Sequence, residues 1–123
     1  MSELKLGAVQ AQFAELIWAR APIASGELVK LCAEKWGWKK PTTYTVLRKL
    51  CERGIFQNEN SVVTVCVTRE EYDARQSAQF VDEAFHGSLP AFIAAFTARK
   101  RLSEAEAAEI RRMLDEAERE ERT

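Results

Sequence analysis

A mainly α-helical fold with one small β-hairpin is predicted by three features of this sequence. Apolar residues repeat at helical spacing along most of the 123 residues, with caps or breakers between the segments. One run, VVTVCV (Val62–Val67), is β-branched and long enough for a strand. Proline and glycine punctuate the chain where one element should give way to the next, at Pro22, Gly37, Pro41, Gly54 and Gly87.

The elements follow in order. Leu6, Val9, Phe13, Leu16 and Ile17 predict an amphipathic helix over about 6–20, ended by Pro22. Ile23 and Ala24 make a very short extended segment. Ser25 is placed to cap a second helix, with Glu27 in its first turn where the helix dipole favours an acid. Leu28, Leu31 and Cys32 face inward, and Gly37 breaks the helix between Trp36 and Trp38. Pro41 suits the opening turn of a third helix, where its missing N–H costs nothing. Thr43, Val46, Leu47 and Leu50 define the buried face of that helix, and Gly54 is its expected stop. Ile55 and Phe56 begin an extended segment, Gln57–Ser61 (QNENS) reads as a polar turn, and Val62–Val67 returns. The order helix, short strand, helix, helix, hairpin predicts a winged helix-turn-helix over 1–70.

Residues 71–123 read as a C-terminal helical dimerisation region. Thr68 and Glu71 form a capping box that opens the fourth helix, and Ser88 opens a fifth after Gly87. Ser103 and Glu106 form a second box, with Leu102 and Ala107 as its staple. About 50 residues of short helices bury too little surface to stand alone. Phe80, Phe85, Leu89, Phe92, Ile93, Phe96, Ile110 and Leu114 therefore need a partner surface, and a second copy of the chain is the simplest supply.

Composition excludes several classes. Eighteen Lys and Arg face 19 Asp and Glu, for a net charge of −1. No apolar run approaches the ~20 residues of a membrane span, and MSELKLGAVQAQF lacks the form of a signal peptide. A cytoplasmic protein without membrane insertion is expected. Cys32, Cys51 and Cys66 are scattered, with no CxxC pair and only His86 to accompany them, so no metal site, cofactor or disulfide framework is expected. A single histidine and the absence of HExxH or a glycine-rich phosphate loop leave no catalytic constellation, so an enzyme is not expected.

Charge is uneven. Between residues 30 and 49 lie Lys30, Lys35, Lys39, Lys40, Arg48 and Lys49 against one acid, Glu34. This patch coincides with the third helix, whose polar residues suit double-stranded DNA. Thr42, Thr43, Tyr44 and Thr45 can reach base edges or phosphates, whereas Lys39, Lys40, Arg48 and Lys49 suit phosphates. The wing tip, Gln57–Asn60, carries Glu59 and no cation.

The chain resembles the penicillinase-repressor family, the BlaI/MecI/CopY family, over nearly its whole length. The resemblance rests on Leu16-Ile17-Trp18 and on Trp38, Thr42, Thr45, Val46, Leu50 and Gly54 at their spacing. The wing strand, Phe85-x-Gly87-Ser88-Leu89, and Leu102-Ser103-x-x-Glu106 complete it. It implies a homodimeric repressor whose winged helix binds a palindromic operator and whose C-terminal helices dimerise. In the resistance branch it also implies a membrane sensor-protease as partner and a cleavage site. By position that bond lies between Ala95 and Phe96, where better-known members carry Asn before the Phe. The paired CxC of the copper-responsive branch has no counterpart after Cys66, and Pro41 and Tyr44 replace positions often basic or amide-bearing. From the residues alone two other readings stay open: a winged-helix adaptor without DNA binding, and a thiol-based redox regulator.

Overall fold

The computed structural model describes residues 6–122. Its elements are α1 (Ala8–Arg20), β1 (Ile23–Ala24), α2 (Ser25–Trp36), α3 (Lys40–Glu52), β2 (Phe56–Glu59), β3 (Val62–Val65), α4 (Arg69–Phe85), α5 (Leu89–Arg99) and α6 (Glu104–Arg122). The chain forms two compact units that divide between Phe80 and Val81.

The first unit is a winged helix. Phe13 and Ile17 of α1, Leu28 and Cys32 of α2, and Leu47 and Leu50 of α3 meet Ile55, Phe56 and Val63 of the hairpin in one core. Complete burial of a Leu, Ile or Phe side chain contributes about 1.5–3 kcal/mol, so this cluster dominates the stability of the unit. Trp38 stacks on Phe13 with ring centroids 5.6 Å apart. Trp18 donates from Nε1 to the Val67 carbonyl at 3.0 Å and packs on Phe56 and Tyr72. Arg69 pairs with Glu15, so the start of α4 is held to α1 by a ring contact and an ion pair.

The hairpin differs from expectation. QNENS is not one turn: Gln57, Asn58 and Glu59 belong to β2, and only Asn60 and Ser61 turn the chain. Both have positive φ, 52° and 62°, as a two-residue turn matched to strand twist requires. Asn at the first position lowers the cost of that conformation. Ile23 and Ala24 pair with Val63 and Val62, giving a three-stranded antiparallel sheet in the order β1-β3-β2. Ile23, Phe56 and Val63 are the strand residues that face the core.

Ser25 also departs from its expected role. It lies inside the first turn of α2, and Ala24 occupies the N-cap. The other signals hold. Gly37 ends α2 in the left-handed region at φ 68°. Gly54, at φ 80°, follows the C-cap of α3, while Ile55 N–H reaches back to the Leu50 carbonyl at 3.2 Å. Both capping boxes form: Glu71 N–H donates to Thr68 Oγ1 at 3.1 Å and Glu106 N–H to Ser103 Oγ at 3.0 Å. Ser88 caps α5 by accepting from Ala91 N–H at 3.1 Å.

In the second unit, Phe85 and Phe92 meet edge to face at 5.6 Å, and Phe92 also lies 6.1 Å from Phe96. No residue of α4, α5 or α6 is fully buried. No helix among the described residues is long and apolar enough to cross a membrane.

Candidate nucleic-acid interface

The candidate surface is one face of α3. Its opposite face is fixed by burial of Leu47 and Leu50, with Val46 half-buried beside them. An α-helix places i, i+3 and i+7 on one side. Thr42, Thr45 and Lys49 have that spacing, and all three are exposed. Arg48 is exposed beside them, and Lys39 and Lys40 stand at the helix start.

Electrostatics favour an anion at that start. Lys39 is the N-cap and offers no side-chain acceptor to the first-turn N–H groups. Those donors and the positive end of the helix dipole therefore point to an external acceptor, next to two lysines. Among the described residues, neither Lys39, Lys40 nor Lys49 takes part in an ion pair. Arg48 has only a loose one to Glu52 at 3.8 Å, with both side chains about two-thirds exposed. Such a pair is readily exchanged for a phosphate.

The expected set is not brought together intact. Thr43 leaves it: the side chain is 1% exposed and lies in the core layer. The buried face of α3 needs its position, and a threonine there presents a methyl group to the core. Its hydroxyl makes no well-formed hydrogen bond among the described residues. Tyr44 is half-buried, and its hydroxyl donates to Ser25 Oγ at 3.2 Å. Thr45 is exposed, but its hydroxyl proton is engaged by the Pro41 carbonyl at 2.9 Å, which leaves the methyl group and the oxygen lone pairs to face outward. Ser25 was not foreseen as a partner of the third helix, because nothing local in the sequence joins positions 19 residues apart.

The wing tip is exposed and carries Glu59 without a cation. A shallow groove between α3 and β2 is lined by Tyr44, Leu47, Arg48, Cys51 and Asn58. Burial pushes the Cys51 thiol up, and nearby Cys66 adds to the shift. Burial pushes Cys32 up as well, offset in part by the Thr43 hydroxyl. A raised thiol holds less thiolate, the reactive form, at neutral pH. No group of three or more metal-ligating side chains occurs among the described residues.

The second unit presents an apolar surface. Leu89, Ile93 and Phe96 share one face of α5, and with Leu102, Ile110 and Leu114 they line a groove of about 680 Å³. Ile93, Phe96 and Leu114 are 42%, 44% and 55% exposed. Met113 of α6 is also exposed, next in sequence to Leu114 but outside the groove's lining. Phe85 and Phe92 lie partly inside the unit, packed on one another. Phe80 is exposed at the end of the first unit. Ala95 and Phe96 are both inside α5, where Phe96 accepts from Lys100 N–H at 2.9 Å.

A helix-turn-helix with a basic polar third helix and an attached wing defines a DNA-binding transcriptional regulator. Comparison with known families agrees: the family model described as penicillinase repressor matches residues 6–116, and the chain belongs to that family. A curated relative, the penicillinase repressor of Bacillus licheniformis, is 24% identical over 106 residues, which cover 83% of each chain. The family is one of transcriptional repressors rather than enzymes.

Proposed function

We propose that this chain is a homodimeric repressor that occupies a palindromic operator. The observation that carries the reading is the division of α3, with Leu47 and Leu50 buried and Thr42, Thr45, Arg48 and Lys49 exposed. Thr42 and Thr45 touch base edges, and Lys39, Lys40, Arg48 and Lys49 touch phosphates. The first group sets sequence preference and the second sets register and affinity. Two copies place their third helices in major grooves about one helical turn apart, and so cover the DNA against polymerase.

Dimerisation is carried by the apolar face of α5 and α6. A contiguous apolar groove built from Leu89, Ile93, Phe96, Ile110 and Leu114 marks an association site. The same patch on a second copy satisfies it by two-fold symmetry. A membrane sensor-protease would relieve repression by cutting at Ala95–Phe96 after local opening of α5, because that bond is held in helical backbone.

A gel shift on DNA from upstream of the chain's own gene tests the proposal. A retarded band whose midpoint varies with protein concentration as a dimer is expected. An adaptor without DNA binding would give no band at low salt.

A further inference from the structure

The polar contacts around Ser25 join α3 to the turn between β2 and β3. Ser25 is 4% exposed and sits in the first turn of α2. Its Oγ accepts from the Tyr44 hydroxyl on α3 at 3.2 Å. Its N–H donates to the Ser61 carbonyl in the wing turn at 2.9 Å, one step beyond the Ala24–Val62 pair of the sheet. One buried residue thus holds the recognition helix through its side chain and the wing through its backbone. Tyr44 also borders the shallow groove that separates α3 from β2. Leu47 and Leu50 of α3 already meet Phe56 and Val63 in the core, and the hydrogen-bonded link adds a directional constraint beside that packing.

We propose that Tyr44 is a positioning residue rather than a base reader: through Ser25 it fixes α3 and the wing turn in one relative placement. The inference rests on the repressor reading of α3. It gives a wing tip without cations a purpose. The wing braces the recognition helix from behind, through Ser61, and needs no cation of its own to do so. A misplacement of about 1 Å weakens contacts that need exact reach, the base edges, more than contacts made by flexible lysines to phosphate. Loss of the link therefore lowers operator affinity while affinity for random duplex changes little.

The test uses the full chain and an operator selected by the wild-type protein from a random duplex pool. Tyr44→Phe removes the hydroxyl and keeps the ring; Ser25→Ala removes its acceptor. Each is expected to lower operator affinity about three- to tenfold, the range for one hydrogen bond, with random-duplex affinity and salt dependence unchanged. The double variant should be no weaker than either single one, because all three lose the same link. Amide exchange at Ser25 should quicken in Tyr44→Phe even without DNA. Wild-type operator affinity in Tyr44→Phe would overturn the proposal, as would additive losses in the double variant, which mean that Tyr44 touches DNA itself. Unchanged Ser25 exchange in Tyr44→Phe also overturns it. If the wild-type protein enriches no sequence from the pool, the repressor reading fails instead, and the exchange measurement still decides the link.

Discussion

Thr43 and Lys39 sit four residues apart and have opposite fates. Thr43 turns inward and its hydroxyl is buried without a well-formed hydrogen bond, whereas Lys39 turns outward at the helix start. A buried hydroxyl whose contact is only a weak one to the Cys32 thiol still carries part of the cost of an unpaired polar group, about 1–3 kcal/mol. Thr43→Val keeps the shape and removes that cost, so denaturant unfolding should show stability equal to the wild type or higher by up to about 1 kcal/mol, with DNA affinity unchanged. Lys39→Ala should instead weaken binding to every sequence alike and reduce the slope of log affinity against log salt by about one per site, measured by titration at several salt concentrations. The sequence already showed Thr43 on the apolar stripe with Val46, Leu47 and Leu50. Its place in the DNA-facing set came from residue type alone, and helical spacing was the better guide. Tyr44 could not be placed by spacing, because its half-buried position on the helix flank is decided by Ser25, a tertiary contact.

At the level of elements, helix ends were the most legible part of the sequence. Thr68 with Glu71, Ser103 with Glu106, Gly37 and Gly54 each mark an end by local chemistry, and each does so in the structure. Gly54 has φ 80°, a conformation that a residue with a Cβ enters at a cost of about 1–2 kcal/mol. Gly54→Ala should lower the unfolding midpoint accordingly, read by thermal denaturation, although no atom stands within 4 Å of the added carbon. Thr68→Ala should cost about 1 kcal/mol by loss of the cap of α4. Strand β2 was the illegible element. Gln57, Asn58 and Glu59 are exposed and polar, so neither alternation nor β-branching marks them, and their pairing with Thr64, Val63 and Val62 is set by the turn at Asn60–Ser61. The short segment Ile23–Ala24 was legible as extended chain, but two residues are too few to show a period or to name Val63 and Val62 as their partners.

For the whole molecule, burial separates two kinds of folding unit. The first has a core of its own around Phe13, Leu28 and Phe56, and the second contains no fully buried residue in its helices. In the proposed dimer, association covers this aromatic and aliphatic surface. Ile93→Glu, on the exposed face of α5, should shift the chain from dimer to monomer in sedimentation equilibrium and lower operator affinity by more than tenfold, since half-sites then bind singly. The winged helix should remain folded in that variant, because its core is independent of α5. The central claim is that α3 of a dimer grips DNA phosphate through Lys39, Lys40, Arg48 and Lys49. Its most direct test is the salt dependence of operator binding. With about eight phosphate contacts per dimer, affinity should fall roughly 10³- to 10⁵-fold between 50 and 200 mM salt, linearly on logarithmic axes. An affinity that barely changes over that range would contradict the account.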